Sequence, residues 1–423
     1  MVTAQSKKIS KRSIQKLIKK PLFEKIKTIG ELCYSLGYHC YIVGGTVRDI
    51  ILGIPLNDID VVSDGDISLI KKQCMKKWKQ LKITESKFGT IKLLFNDNSH
   101  IDIAHFRKET YPYPASLPVV QRGIIVDDVK RRDFTINTLL MDIGKINFGK
   151  IYDVLSGIND IEKGVIRILH NKSFIDDPTR IFRALRFANR LSFRLDKTTK
   201  HLLLNAVNDG YISKLTPVRI RRELFLILME KNWDKILKDM DKYGILKEIG
   251  IKKFCSQRRI GVFKKRISEI ASKLHNPLLP KLMLIAHKAT ISETNQFIDK
   301  VGLRKKEGTA LLEVKKKGAK TLEKLSKSKI SNKDIYWSLK TFDTDAICFL
   351  YTLGDKKQRK HICYYLEHLK NIKPKLTGKD LKTLKITEGP IYEKILKQLL
   401  NMKLNGKLKS KQQEIDFVKR LFC

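Results

Sequence analysis

The sequence predicts an α+β amino-terminal part with a small mixed sheet, followed by an all-α remainder. Three observations carry this. Between Cys40 and about residue 165, short strand-like runs alternate with helical ones. From "IDDPTRIFRALRFANRL" onward, apolar residues recur at three- and four-residue spacing with lysines between them, as in "ELFLILMEKNWDKILKDM". Finally, 423 residues exceed what one core usually organises, so several domains are expected.

Taken in order, residues 1–20 read as a basic helical lead-in. Strands are expected in "YHCYIVG", "LNDIDVVS", "FGTIKLLF" and "HIDIAHFR", and helices in "TVRDIILG" and "ISLIKKQCMKKWKQL". The proline- and aromatic-rich "AHFRKETYPYPASLPVVQRGIIVDD" reads as a long loop able to move over a neighbouring site. Residues 302–330 form a charge-dense helical stretch with a solvated face, and a composition shift at 371–378 opens a carboxy-terminal module.

Charge is the strongest global signal. There are 86 Lys and Arg against 44 Asp and Glu, a net +42. Residues 251–423 alone hold 41 basic and 16 acidic residues, a net +25. Such a surplus predicts a polyanionic partner, most simply a nucleic acid. No apolar run is long enough to span a bilayer, and the first residues show no apolar secretory core, so a membrane role is not expected. The seven cysteines are scattered without a CxxC pair, which predicts reduced thiols in the cytoplasm.

The chemistry begins at "IVGGTVRDIILGIPLNDIDVV". Gly44 and Gly45 would form a turn that lets backbone approach a ligand, and a helix start offers N–H groups to an anion. Arg48 would add a forked phosphate donor. Asp58 and Asp60, two residues apart on one strand, would point to the same side. Alone, such a pair fits an exposed strand edge better than a metal site. Beside a triphosphate site it fits Mg²⁺, which takes a few carboxylates plus phosphate oxygens. Two such ions would activate an attacking hydroxyl and steady a leaving pyrophosphate. Asp102, in "HIDIAHFR", is a third carboxylate that would complete the set.

The arrangement GG-x-V-R-D-x-x-L-G followed by D-x-D resembles the class II (bacterial-type) tRNA nucleotidyltransferase and poly(A) polymerase family. The similarity continues through "RRDFTIN" (131–137), like that family's ribose-reading motif, and "DDPTRIFRALRF" (176–187), like its base-reading motif. The resemblance implies a palm-like nucleotidyltransferase head followed by an elongated helical body and tail. It implies a head at 1–165, a base-reading and RNA-binding neck at 166–255, a body at 256–370 and a tRNA-binding tail at 371–423. It assigns metal binding to Asp58 and Asp60, triphosphate contacts to Gly44, Gly45 and Arg48, and ribose contacts to Arg132, Asp133 and Asn137. Base reading falls to Asp177 and Arg180, with Arg183 and Arg186 as further nucleotide or phosphate contacts.

The base-reading pair also follows from chemistry. Asp177 caps a helix with Pro178 in its first position, while Ile181, Ala184, Leu185 and Ala188 make the buried stripe. Cytosine and adenine both present an exocyclic amine beside a ring-nitrogen acceptor. An acidic acceptor and an arginine donor one turn apart match that edge, whereas guanine and uracil reverse it and leave buried groups unpaired. The expected activity is therefore addition of CMP and AMP from CTP and ATP to the 3′ end of tRNA, gripped through its acceptor–TΨC half. The alternatives are a CC-adding or A-adding specialist, a poly(A) polymerase, or an idle RNA-binding relative. "SKFGTIKLLF" lacks the basic-aromatic segment of bacterial poly(A) polymerases, and no His-Asp dipeptide marks a phosphohydrolase domain.

Overall fold

The structure, a computed structural model, describes residues 5–56, 59–86 and 89–422. They form two compact units, Met1–Glu248 and Ile249–Cys423. The first is built on strands β1 (Gln5–Lys8), β2 (Cys40–Val43), β3 (Ile59–Ser63), β4 (Lys82–Glu85), β5 (Ile91–Leu94), β6 (His100–His105), β7 (Arg107–Thr110), β8 (Val119–Arg122), β9 (Leu140–Asp142) and β10 (Lys150–Asp153). Eight of them make one sheet in the order β1-β10-β9-β2-β3-β6-β5-β4.

β3 and β6 run parallel while the other neighbours are antiparallel. A parallel pair needs a crossover, and the Ile67–Lys77 helix lies within it. Asp66 starts that helix by accepting the Ser68 N–H at 2.7 Å. One face of the central strands is buried, with Ile42, Val61, Ile101 and Ile103 together on it, while the alternate residues of β5 and β6 are half-buried. Asp60 is the exposed exception in β3.

The expected α+β class holds, and the four expected strands are present, but the sheet is twice as wide as they imply. β1, β4, β9 and β10 are only three or four residues long, too short for a clear alternation. The amino-terminal segment corrects the helical lead-in: Gln5–Lys8 is an edge strand paired with β10, and only Lys11–Gln15 is helical before Lys20. Main-chain pairing holds β1 whatever its side chains, and lysines suit an edge.

The expected long loop is corrected too. β7 and β8 pair as a hairpin from Arg107↔Arg122 to Thr110↔Val119, and a helix follows at Ile125–Lys130. The prolines fall in its tip at 112, 114 and 118, while the strands are polar and lack an apolar face. "TIN" forms a single 3₁₀ turn, Thr135–Asn137.

Downstream of residue 173 the first unit is almost wholly helical. The Thr179–Leu191 helix buries Ile181, Ala184, Leu185 and Ala188 as expected, and also Phe182 and Phe187. In the second unit the Lys305–Leu325 helix is solvated along part of its length but buries Ala310, Leu311 and Leu325. The carboxy-terminal helices close a small core of Leu381, Ile395, Leu399 and Val418. There Glu414, 1% exposed, accepts the Lys375 and Leu376 N–H groups at 2.7 and 2.9 Å. Among the described residues no helix is long and apolar enough to cross a membrane.

Candidate active site

In the first unit a cavity of about 610 Å³ is lined by Gly44, Gly45, Arg48, Asp60, Arg132, Asp133, Asn137, Asp177, Arg180, Arg183 and Arg186. Stretches more than a hundred residues apart in sequence thus meet at one place.

Gly44 joins β2 to the Gly45–Ile51 helix with φ +69°, in the left-handed region. A Cβ there would lie 2.7 Å from the tip of the Arg132 side chain, which could shift, so it is the backbone angle that favours glycine. Arg48, 3% exposed, donates through Nε to Asp49 Oδ1 at 2.8 Å and through Nη1 to Asn137 Oδ1 at 2.6 Å. It thereby ties the glycine turn to the 3₁₀ turn. Asn137 in turn donates to Asp133 Oδ1 at 2.9 Å, so these two meet although no α-helix joins them.

Asp133 is the centre of a buried network. Its Oδ2 accepts from Arg183 Nε and Nη2 at 2.8 and 2.6 Å. Burial alone would raise its carboxyl, but Arg183 and Asn137 outweigh that and hold it below the usual carboxylate range. Arg131 and Arg132 both donate to Asp128, which has no exposed surface, at 2.7 and 2.6 Å. Arg131 also reaches Glu109 of the hairpin at 2.9 Å.

The carboxylates divide. Asp60 lines the cavity, whereas Asp58 lies outside the described residues. Asp102 stands in register with Asp60 across β3 and β6, hence on the same face of the sheet, yet it is absent from the cavity wall. Its Oδ1 is buried without a hydrogen bond and lies 3.9 Å from Lys92 Nζ. Among the described residues no three His, Cys, Asp or Glu side chains gather as a metal site. Of the two described carboxylates of this set, Asp60 is the one that lines the cavity with the glycine turn, and its oxygens are hard donors of the kind divalent cations take.

On the far wall, Asp177 precedes the Thr179–Leu191 helix. It acts as the expected cap from one position earlier, accepting the Thr179 N–H at 3.0 Å. Arg180, 3% exposed, donates to Ser173 Oγ at 2.7 Å and to the Arg131 carbonyl at 2.9 Å. Its guanidinium also lies 5.9 Å from the Tyr111 ring centre. Longer bonds at 3.5 Å reach the Ser173 carbonyl and the Tyr111 hydroxyl, and together these contacts hold the guanidinium plane. The three-residue spacing of Arg180, Arg183 and Arg186 puts them on the cavity, not on a solvated face. The Phe187 ring lies 5.0, 5.3 and 5.1 Å from the guanidinium carbons of Arg48, Arg183 and Arg186.

The sequence analysis did not single out several wall residues: Tyr111 and Glu109 of the hairpin, Arg190, and Arg219, Arg222 and Glu223 of the Pro217–Met229 helix. Glu223 Oε2 is buried without a hydrogen bond, and burial pushes its carboxyl up against the opposing pull of Arg183 and Arg186. "TPVRIRREL" did carry a sign: two arginines and a glutamate at helical spacing.

Residues 40–167 match the model of the poly A polymerase head domain. Residues 192–252 match the one described as "Probable RNA and SrmB- binding site of polymerase A". The chain belongs to the tRNA nucleotidyltransferase and poly(A) polymerase family.

Within that family, it is 32% identical over 421 residues to the A-adding tRNA nucleotidyltransferase of Geobacter sulfurreducens, covering 95% of this chain and 47% of that protein. The A-adding tRNA nucleotidyltransferase of Halalkalibacterium halodurans is 26% identical, with 94% of this chain and 92% of that one covered. The chain spans about half the length of the Geobacter protein and of the matching protein from Aquifex aeolicus. Among solved structures, the apo form II of a CCA-adding enzyme superposes with a TM-score of 0.83 at 29% identity, covering 98% of this chain and 99% of that one. The Thermotoga maritima CCA-adding enzyme complexed with tRNA gives 0.75 at 28% identity, with 98% of each chain covered.

Proposed function

We propose that the protein extends the 3′ end of tRNA without a nucleic-acid template, adding CMP and AMP from CTP and ATP. The observation that carries this reading is the meeting, in one cavity, of the Gly44–Gly45 turn, the Asp60 carboxylate and the Asp177–Arg180 pair. In the reaction the RNA 3′-hydroxyl oxygen attacks the α-phosphorus. The bond to the β-phosphate oxygen breaks, pyrophosphate leaves, and the hydroxyl proton passes to solvent. The glycine turn and Arg48 hold the triphosphate, and Arg132, Asp133 and Asn137 the ribose. Asp177 accepts from the exocyclic amine of C or A, and Arg180 donates to the adjacent ring nitrogen. Arg183 and Arg186 add phosphate contacts.

Asp60, together with Asp58 two residues earlier in sequence, would hold Mg²⁺, which when bound neutralises phosphate charge and sharpens the attacking hydroxyl. Asp102, in register with Asp60, completes the carboxylate set from the neighbouring strand. The four-part division into head (1–165), neck (166–255), body (256–370) and tail (371–423) belongs to the same proposal, with the basic helices gripping tRNA in the cytoplasm. Structures of CCA-adding enzymes with CTP, ATP and tRNA at 28%, 27% and 28% identity support it.

A second reading, an A-adding specialist, is favoured by the names of the Geobacter, Aquifex and Halalkalibacterium relatives. Purified protein is incubated with tRNA ending at the discriminator base, or with tRNA already carrying CC, plus labelled CTP and ATP. Growth by three nucleotides is the expected result. Addition to the CC-ending substrate alone selects the specialist, and no incorporation into either rejects both. Asp60→Ala is expected to abolish incorporation while leaving the fold intact.

A further inference from the structure

Resting on that base-reading assignment, we infer that Arg219 is a positioning residue for nucleobase selection. It fixes the Asp177 carboxylate and ties it to the tip of the β7–β8 hairpin. Arg219 Nη2 donates to Asp177 Oδ1 at 2.7 Å, and Arg219 Nη1 donates to the Ala115 carbonyl at 2.7 Å. Ala115, in the hairpin tip with φ +61°, donates its own N–H to the Ile175 carbonyl at 3.1 Å. One guanidinium thus closes a ring through the hairpin tip, the chain just before Asp177 and the Pro217–Met229 helix.

The bonds on Asp177 are unequal. Oδ1 accepts from Arg219, from the Thr179 N–H at 3.0 Å and from the Thr179 hydroxyl at 2.5 Å. Among the described residues no donor is bonded to Oδ2. A carboxylate saturated on one oxygen cannot rotate freely, and it presents the other to a ligand amine. Helix stability does not explain the arginine. It lies in the first turn of the helix, where the dipole disfavours a cation. Lysine would replace it only in part, since a single ammonium lacks the fork that spans both acceptors.

The test uses the full chain with Arg219→Ala and Arg219→Lys. Equilibrium binding of CTP, ATP, GTP and UTP is measured beside incorporation kinetics and thermal midpoints. Arg219→Ala is expected to weaken CTP and ATP binding by about tenfold or more. GTP and UTP binding should barely change, and kcat should move far less than KM. Arg219→Lys should restore part of the preference. A wild-type-like preference in both variants overturns the inference. So does equal weakening of all four nucleotides, which is what a merely structural role would produce. Wild-type protein that shows no preference among the four removes the base-reading assignment itself, a different failure.

Discussion

Asp128 shows how a single buried charge organises this site. It has no exposed surface, and it holds Arg131 and Arg132 while also accepting the Arg107 N–H at 3.3 Å. Burial pushes its carboxyl up, but the two guanidiniums outweigh that and hold it below the ordinary value. Asp128→Asn would leave two arginines without their counter-charge, so it should cost about 3–5 kcal/mol in urea unfolding at neutral pH. The sign with pH follows from the lowered value. The stabilisation is complete above the ordinary pKa of about 3.9 and is lost as pH falls through the folded-state value. The gap between wild type and variant should therefore close below about pH 4. Sequence inspection marked Arg132, Asp133, Asn137 and Arg183 but could not pair them. The Asp133–Arg183 bridge joins positions fifty residues apart, and no local pattern encodes such a pairing.

Helices and hairpins show a different balance. The Lys20–Ser35 helix approaches the sheet region so closely that a Cβ on Gly30 would lie 1.8 Å from the Ile143 carbonyl oxygen. Gly30 sits inside the helix, where alanine would ordinarily be favoured by about 1 kcal/mol. Here Gly30→Ala should instead destabilise the first unit by about 1–3 kcal/mol or more, because the helix must back away from main chain that cannot yield. Thermal unfolding of the variant checks the sign: stabilisation would mean the close approach is absent. The hairpin carries the opposite lesson. Its proline-rich tip dominated the sequence pattern, while its short polar strands, paired through main chain, left almost no apolar signature.

Across the molecule, charge is the dominant property. The net +42 is concentrated after residue 250, where helices rich in lysine surround apolar cores. If these helices hold tRNA through its phosphates, each neutralised phosphate releases counterions on binding. Affinity should then fall by about 10³-fold or more between about 50 and 200 mM salt. Nucleotide binding in the cavity, governed by buried and fixed donors, should depend on salt far less. Parallel titrations with tRNA and with CTP distinguish the two. A flat tRNA response would reject the electrostatic grip.

What could be read from the chain alone was whatever depends on neighbours a few residues away. The glycine turn with Arg48, the capped helix with its buried stripe, the charge surplus and the family resemblance are all of that kind. The paired aspartates were legible as a motif, but Asp60 lines the cavity while Asp102 reaches the same sheet face only through the parallel register of β3 and β6. The eight-stranded sheet, the link from Arg48 to Asn137, and the clamp of Arg219 on Asp177 and Ala115 depend on contacts between distant segments. Such contacts form when burial and main-chain pairing bring those segments together. Local spacing assigns a residue its chemistry, and packing supplies the partner that orients it.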